Sequence, residues 1–152
     1  GKKMERDRTR QVLFIDEHGK PIVYADADVR ISVNDEQDAT FIVFYRKIYE
    51  KRRGVTKEYW MKSGWLRGDR TDFNLEDRKG TYLSIRSVEV PKKYRKRGFG
   101  KMMYQILADF SGNDVCGICS YLPNRHNKRA VPKIYKRFGA ITDGDYQFID
   151  FQ

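Results

Sequence analysis

The chain has 152 residues, a length that suits one domain with its own core. Hydrophobic residues make up 39% and aromatic residues 14%, which argues against a disordered chain in spite of 34% charged residues. The formal net charge of +10 predicts a surface that attracts anions such as nucleotide phosphates, nucleic acid or acidic proteins, and charge alone does not choose among them.

No apolar run approaches the roughly 18 residues of a membrane span, and no signal peptide is visible. The low cysteine content fits a reducing compartment. We therefore predict a cytoplasmic protein that does not bind membranes. One domain is expected over residues 1–152, with residues 1–10 forming a flexible basic arm.

The first half of the chain is predicted to contain two strands followed by two helices. The longer helix carries an apolar stripe at helical spacing, although its segment 41–45 is rich in residues that favour strands. Gly54 is expected to end this helix. In order, the predicted elements are strands at 11–16 and 21–25, helices at 35–53 and from 56 to about 68, and a charged, loop-like stretch at 69–80 with a short strand near Phe73.

The second half is predicted to alternate strands and helices. An apolar strand at 81–90 leads through a basic, glycine-containing turn into a helix at 98–111, whose apolar residues recur at helical spacing. A strand at 115–121, a helix near 128–138 and a final strand or hairpin at 140–151, turning at 143–145, follow. This order predicts one α+β domain with a mixed, largely central sheet.

The only two cysteines, Cys116 and Cys119, have the spacing of redox and zinc sites. They lie within the predicted strand at 115–121, where a separation of three puts the two thiols on opposite faces. Only His18 and His126 are available to complete a zinc site. We therefore interpret both cysteines as small core residues and predict no metal site.

The turn between the strand at 81–90 and the following helix is the strongest functional signal in the chain. It reads Tyr-Arg-Lys-Arg-Gly-Phe-Gly over residues 94–100. Glycines let a backbone approach a ligand closely, and the amides and dipole of a helix N-terminus favour phosphate. The spacing Arg-x-x-Gly-x-Gly matches neither the Rossmann motif nor the P-loop. A solvated basic turn is the alternative interpretation.

Two motifs of this half resemble the GCN5-related N-acetyltransferase (GNAT) family. The first is Val-Pro-Lys-Lys-Tyr-Arg-Lys-Arg-Gly-Phe-Gly at 90–100, which is similar to the family's acetyl-CoA pyrophosphate loop. The second is Asn-Lys-Arg-Ala-Val-Pro-Lys-Ile-Tyr-Lys-Arg-Phe-Gly at 127–139, which resembles the family's Asn-x-x-Ala segment with its following tyrosine. A strand separates the two motifs, as the family requires, and the resemblance covers about residues 81–140.

The resemblance implies a fold, an activity and a co-substrate. The implied fold is α+β, a GNAT-like mixed central sheet of about six or seven strands flanked by about four helices. The implied activity is that of an acyl-CoA-dependent N-acetyltransferase, which moves an acetyl group from acetyl-CoA to a primary amine by direct transfer and without a metal. The acceptor amine is expected on a small molecule or a protein.

By the resemblance, the amides of the turn hold the pyrophosphate and the nearby cations add charge. Backbone groups of the preceding strand are expected to pair with the pantetheine arm, and an amide there to polarise the thioester carbonyl. Lys92 and Lys93 are candidates for contact with the distal phosphate. The predicted cofactor-binding residues are Val88, Val90, Arg95, Lys96, Arg97, Gly98, Phe99, Gly100, Lys101 and Asn127.

Tyr135 is the predicted general acid, because the family places a tyrosine at this position to protonate the leaving thiolate. A phenol with a pKa near 10 suits that role. A core tyrosine on an amphipathic helix is the alternative. Pro132 departs from the family pattern and leaves the position of Asn127 open, since helix capping alone also explains an asparagine there.

Glu89 is the candidate general base, because it is the only carboxylate on the two predicted central strands. Its alternation with Val88 and Val90 points it away from the site, so a surface glutamate is the alternative. A water relay, or an acceptor amine whose pKa falls on burial, would then replace the base.

The acceptor site is less defined by the sequence. Tyr121, Ser84 and Arg86 lie where an acceptor pocket is expected. The competing hypothesis is a basic module of the same fold, catalytically silent, that binds nucleic acid or an acidic protein partner. Aromatic residues of the first half are candidates for lining the acceptor pocket, with core packing as the alternative: Tyr45, Tyr49, Tyr59, Trp60 and Trp65.

Overall fold

The computed structural model describes residues 3–7, 9, 13–123 and 133–152. The strands are β1 (Leu13–Ile15), β2 (Pro21–Asp26), β3 (Val29–Asp35), β4 (Ala39–Arg52), β5 (Val55–Asn74), β6 (Lys79–Glu89), β7 (Val115–Tyr121), β8 (Ile141–Asp143) and β9 (Tyr146–Asp150). The helices are α1 (Phe99–Phe110) and α2 (Lys133–Arg137), and a 3-10 turn (Lys92–Tyr94) precedes α1. The strands form one sheet in the order β1-β2-β3-β4-β5-β6-β7-β9-β8.

The structure contradicts the predicted fold class. The sheet has nine strands rather than about six or seven, and the described residues contain two α-helices rather than about four. The helices predicted at 35–53 and 56–68 are wrong, because β4 and β5 occupy these residues as one long antiparallel hairpin. The stretch 69–80, predicted as a loop, is largely strand, and β3 was not predicted.

The hairpin of β4 and β5 has a local cause in its turn. Arg53 and Gly54 have φ angles of 51° and 76°, the positive values that a type I′ hairpin turn requires. The glycine expected to end a helix therefore reverses a strand. Along β4, Ile42 and Phe44 are fully buried while Tyr45 is only half-buried, so the apolar residues alternate between two faces. The pairing of β4 with β3 and β5 therefore outweighs the helical spacing of its apolar residues.

The predicted elements of the second half are mostly confirmed. β6, α1 and β7 lie within two residues of their predicted bounds, and β8 and β9 form the predicted final hairpin. α2 covers Lys133–Arg137, residues 128–132 of the predicted helix lie outside the described residues, and Phe138 follows α2 in a turn. β6 and β7 are parallel neighbours connected through α1, and β9 lies between β7 and β8.

Both helices pack against one face of the sheet. Successive register partners across β3, β4, β5 and β6 belong to the same core cluster as the buried residues of α1 and α2. A smaller cluster around Tyr82, Cys119 and Phe148 lies on the other face of the sheet. Each of these residues is next in sequence to a residue of the main core, and side chains alternate between faces along a strand. The register partners of the main core are Val33, Ile42, Leu66 and Val88.

Residues 3–7 belong to the segment expected to form a flexible arm, and they pack on the sheet and α1. Met4 is 1% exposed and forms a parallel bridge with Phe151. The Asp7 N–H donates to the carboxylate of Asp109 at 2.9 Å. In the described part of the chain, neither helix has the length and apolar character needed to span a bilayer.

A polar network of Arg78, Tyr82 and Asp150 lies near the start of β6. The Arg78 guanidinium, whose side chain is 9% exposed, donates to the Tyr82 hydroxyl at 3.0 Å and to the carboxylate of Asp150 in β9. The Tyr82 hydroxyl donates to the same carboxylate at 2.8 Å. Burial raises the pKa of Tyr82 to about 12. The network therefore ties β6 to β9 across β7.

We expect Asp150→Ala to lower the free energy of unfolding by about 3 kcal/mol, because it leaves the Arg78 charge buried without its carboxylate. Urea denaturation measures the loss. Asp72→Ala is the matched control, since Asp72 is exposed and accepts one hydrogen bond from Thr81. It is expected to cost less than about 1 kcal/mol. Equal losses in the two variants would contradict the role given to the network.

Candidate functional site

β6 and β7 are paired over only part of their length. Their parallel ladder runs from Thr81 with Val115 to Ser84 with Cys119 and stops there. β6 continues to Glu89 while paired with β5 alone. The two strands therefore part toward their carboxyl ends, the end of parallel strands at which ligands commonly bind.

The turn that follows β6 has the backbone geometry of an anion-binding loop. Lys96 and Gly98 have positive φ angles of 62° and 85°, and Arg97 between them does not. Such alternation turns successive N–H groups toward one concavity. The first i→i−4 bond of α1 runs from the Met102 N–H to the Gly98 carbonyl at 3.0 Å, so the amides of residues 99–101 have no acceptor within the helix. No side chain caps α1, and its first turn contains no acidic residue.

Aromatic packing holds the turn at both ends. Tyr94 and Phe99 are 4% and 5% exposed. Each packs edge-on against Phe44 of β4, with ring centroids 5.3 and 5.4 Å apart, and their own centroids are 5.9 Å apart. Residues 95–98 between them are exposed. The predicted loop is thus a solvent-facing turn on a fixed base, and the Phe99 side chain belongs to the core.

The cations of the turn differ in what they contact. Arg95 donates to the Val90 carbonyl at 3.0 Å and to the carboxylate of Glu89 at 3.2 Å, so it braces the turn against the end of β6. The Arg97 guanidinium lies 5.3 and 5.2 Å from the centroids of the two anchoring rings. The lysines Lys92, Lys93, Lys96 and Lys101 are exposed.

Tyr135 lies in the core beside the point where β6 and β7 part. It is 1% exposed, and its hydroxyl has no hydrogen-bond partner among the described residues. Burial raises the pKa of Tyr135, and the neighbouring Ser120 and Tyr104 offset this only in part. Ser120 directly follows Cys119, the last residue of β7 that pairs with β6. A buried hydroxyl without a hydrogen-bond partner is rare in folded proteins.

Tyr104 of α1 is a second buried phenol that the sequence analysis missed. Its ring centroid is 6.3 Å from that of Tyr135, and its hydroxyl also has no hydrogen-bond partner among the described residues. Burial raises the pKa of Tyr104. Its helical spacing with Leu107 indicates only a core position, so no sequence signal marks it as part of this site.

Glu89 and Val88 lie on opposite faces of β6. Val88 packs against the main core, whereas Glu89 is the register partner of Trp65 and pairs with Arg95. The structure therefore does not bring the candidate base to Tyr135, whose ring lies in the main core. The carbonyl of Val90, a predicted pantetheine contact, accepts the hydrogen bond from Arg95.

Two of the three residues predicted for the acceptor pocket come together. Arg86 lies 5.9 Å from the ring centroid of Tyr121 and donates to Asp69 at 3.0 Å. Tyr121 stacks on Tyr146, with centroids 4.5 Å apart. Ser84 is 1% exposed. Asn127 and Pro132 lie outside the described residues.

Both cysteines are free thiols within the strand predicted for them. Cys119 is fully buried, as predicted, and burial raises the pKa of its thiol to about 12. Cys116 is half-buried. Among the described residues, no group of three or more His, Cys, Asp or Glu side chains is close enough to hold a metal ion.

No protein-family model matches the chain, and no curated protein matches it. Among solved structures, the chain is similar to one described as "The crystal structure of KacTA-DNA complex", with 13% sequence identity and a TM-score of 0.43. The likeness covers 76% of this chain and 70% of that chain. A likeness this low does not define the fold or the function, so the acetyltransferase resemblance depends on the two sequence motifs.

Proposed function

We propose that the protein is an acyl-CoA-dependent N-acyltransferase that transfers an acetyl group from acetyl-CoA to a primary amine. The observation that carries the proposal is the meeting of three features at one end of β6 and β7. These are the parting strands, the exposed turn with left-handed Lys96 and Gly98, and the buried hydroxyl of Tyr135 without a partner in the described residues. The proposal adds these features to the sequence resemblance.

The pyrophosphate would bind at the turn, where the amides of residues 99–101 and the α1 dipole favour an anion. Lys96 and Lys101 are exposed beside these amides and add positive charge. The pantetheine arm carries amide groups and would extend along β6 near Val88, beyond the last β7 partner. Its thioester would then lie toward the point where the strands part.

The chemistry needs a neutral amine and a proton for sulfur. The amine nitrogen attacks the thioester carbonyl, the C–N bond forms, and the C–S bond breaks. The leaving sulfur takes a proton from the Tyr135 hydroxyl, and the surplus proton of the nitrogen returns through solvent to the phenolate. Like any tyrosine, Tyr135 is protonated at neutral pH, and because burial raises its pKa further, it gives up its proton only to a sulfur that develops thiolate charge as the C–S bond breaks.

Glu89 is not placed to serve as the general base. Glu89 pairs with Arg95 on the face opposite Val88, so we propose that water rather than Glu89 accepts the proton of the amine. The same observation favours the second candidate, a basic module that binds its ligand without chemistry. A thiol-release screen with acetyl-CoA across amines and peptides separates the two, since a silent module releases no CoA with any acceptor.

Acetyl-CoA at millimolar concentration is expected to raise the melting temperature by about 10 °C if it saturates a site of micromolar affinity. ATP at equal ionic strength is the control, because it is a charged nucleotide without a pantetheine arm. No shift with acetyl-CoA, or an equal shift with ATP, would contradict the proposal.

Gly100→Ala tests the turn directly. A Cβ at Gly100 would meet only the Val90 Cγ2 atom, at 3.9 Å, so the free protein should fold as before and gain up to about 1 kcal/mol from helix propensity. A phosphate held against the Gly100 amide would meet the added methyl, and acetyl-CoA affinity should fall about tenfold or more. Unchanged affinity in calorimetry would exclude close approach of the ligand to this residue.

A further inference from the structure

One face of β3, β4 and β5 is not covered by either described helix. Register places alternate residues of these strands together on it, for example Arg30 beside Tyr45 and Tyr45 beside Lys62. The residues between them, such as Phe44, point into the core under α1. We call this surface the open face; it consists of Arg30, Phe41, Tyr45, Lys47, Trp60, Lys62, Trp65 and Arg67.

Rings and cations alternate on the open face. The Arg30 guanidinium lies 5.3 Å from the Tyr45 centroid and 5.1 Å from the Trp60 centroid. Trp65 is 39% exposed, and its indole N–H donates to the Ser87 hydroxyl at 3.1 Å, which fixes the ring on the surface. The other cation-to-centroid distances are 5.2 Å for Lys47 and Trp60, 6.0 Å for Lys62 and Trp65, and 5.3 Å for Arg67 and Phe41.

The charge of the open face is only partly neutralised. Lys47 pairs with Glu58 at 3.6 Å and Arg67 with Asp69 at 2.7 Å. No carboxylate among the described residues forms an ion pair with Arg30 or Lys62. Arg30, which also acts electrostatically on the Asp16 carboxylate, and Lys62 therefore carry the charge of the open face that no ion pair of the described residues neutralises.

The β4–β5 hairpin extends the positive surface beyond the sheet. β3 pairs with β4 no further than Arg46, and β6 pairs with β5 no further than Trp65, so the residues between them form a two-stranded ribbon. Residues 46–62 contain seven basic and two acidic residues. Arg52 and Arg53 lie exposed at its tip.

We infer that the open face binds single-stranded nucleic acid. Aromatic rings and guanidinium planes stack with unpaired bases, and cations placed between them contact phosphates. A duplex keeps its base faces stacked internally and would use only the cations. An acidic protein would likewise gain little from the four rings. This inference is independent of the proposed acyl transfer, since the open face lies across the sheet from Tyr135.

The chain provides its own reporter for this site. Its two tryptophans, Trp60 and Trp65, both lie on the open face. Titration with a 16-nucleotide oligo-dT or oligo-U should quench their fluorescence, and the affinity should fall steeply as salt rises. A duplex of the same length should bind more weakly and quench less. Absence of quenching at low salt, or stronger binding and quenching by the duplex, would overturn the inference.

Matched variants separate the open face from general charge. Lys62→Glu is expected to weaken oligonucleotide binding about tenfold, whereas Lys136→Glu, at an exposed position of α2, changes the net charge equally and should have little effect. Trp65→Leu should weaken binding about tenfold through lost stacking. Unfolding curves of the free variants check that each one folds.

Two results would overturn this assignment. Equal losses in Lys62→Glu and Lys136→Glu would mean that binding depends on overall charge. A concentration-dependent dimer in sedimentation, with tryptophan fluorescence that oligonucleotide no longer changes, would mean that a second copy covers the open face. Loss of acyl transfer in a variant of the turn leaves this test unaffected.

Discussion

Tyr135→Phe is expected to lower kcat for acetyl transfer by about a hundredfold, with acetyl-CoA affinity close to that of the wild type. Removing a positioned general acid typically costs 10²- to 10⁴-fold in rate. The ring should stay in place, because it is fully buried and packs edge-on against Tyr104. Thiol release with a working acceptor measures kcat, and calorimetry measures the affinity for acetyl-CoA.

The same change should not harm the fold. The Tyr135 hydroxyl is buried without a partner among the described residues, so the folded protein pays to desolvate it. Phenylalanine removes that cost, and the variant should be as stable as the wild type or about 1 kcal/mol more stable. A loss of activity together with a gain in stability is characteristic of a polar group kept for function.

Tyr104→Phe is the matched control. It removes a second buried hydroxyl without a described partner, from a ring 6.3 Å away, and should change stability in the same direction. Its kcat should stay within about threefold of the wild type, because the family motif places the acid at Tyr135. Normal turnover in Tyr135→Phe would exclude the acid role, and equal losses in both variants would assign the proton to the phenol pair.

The second half of the fold could be predicted because its signals are local. The strand at 81–90, the glycine turn and the apolar spacing of 98–111 each determine their own structure, and β6, α1 and β7 follow them closely. A parallel pair also requires a crossover, which the helix supplies. The turn was identified by the residues that give it its φ angles and its helix N-terminus.

The first half could not be predicted in the same way. The stripe of Phe41, Phe44, Tyr45 and Ile48 fits helical spacing, yet in β4 Phe44 lies in the core, Phe41 and Tyr45 lie on the open face, and Ile48 lies in the two-stranded ribbon. Pairing with β3 and β5 decides that this segment forms a strand rather than a helix. These partners lie outside the segment itself, and β5 extends to residue 74. A window of local sequence contains no information on these partners. Gly54 suits a helix end and a hairpin turn equally well unless it is known that the segments on its two sides pair with each other.

The sequence named candidate site residues, but it did not give their contacts. The motif located the turn and Tyr135, but it gave no sign that Arg95 would bind Glu89 and the Val90 carbonyl. Those contacts depend on where β6 ends relative to the turn. The open face was missed altogether, because the aromatic residues that form it were assigned to helices.

The point where β6 and β7 part depends on the two strands staying paired at their other end, and Gly117→Ala should disrupt that paired end. A Cβ at Gly117 would lie 2.2 Å from the Ile149 carbonyl oxygen and 3.0 Å from both the Asp150 Cα and a Tyr82 ring atom. These neighbours are backbone of β9 and a ring held by Arg78, so none of them can move without disturbing the sheet. We expect a loss of more than about 4 kcal/mol in urea denaturation, the range of a severe core clash.

Gly100→Ala is the control for Gly117→Ala. Its added Cβ would meet only the Val90 Cγ2 atom, so the free energy of unfolding should be unchanged or slightly raised. Gly117→Ala should therefore lose acetyl-CoA binding together with the fold, whereas Gly100→Ala should lose binding with the fold intact. If Gly117→Ala cost less than about 1 kcal/mol, β7 would have room to shift between β6 and β9. The point at which β6 and β7 part would then not be fixed by the sheet, and the position of Tyr135 beside it would lose its structural basis.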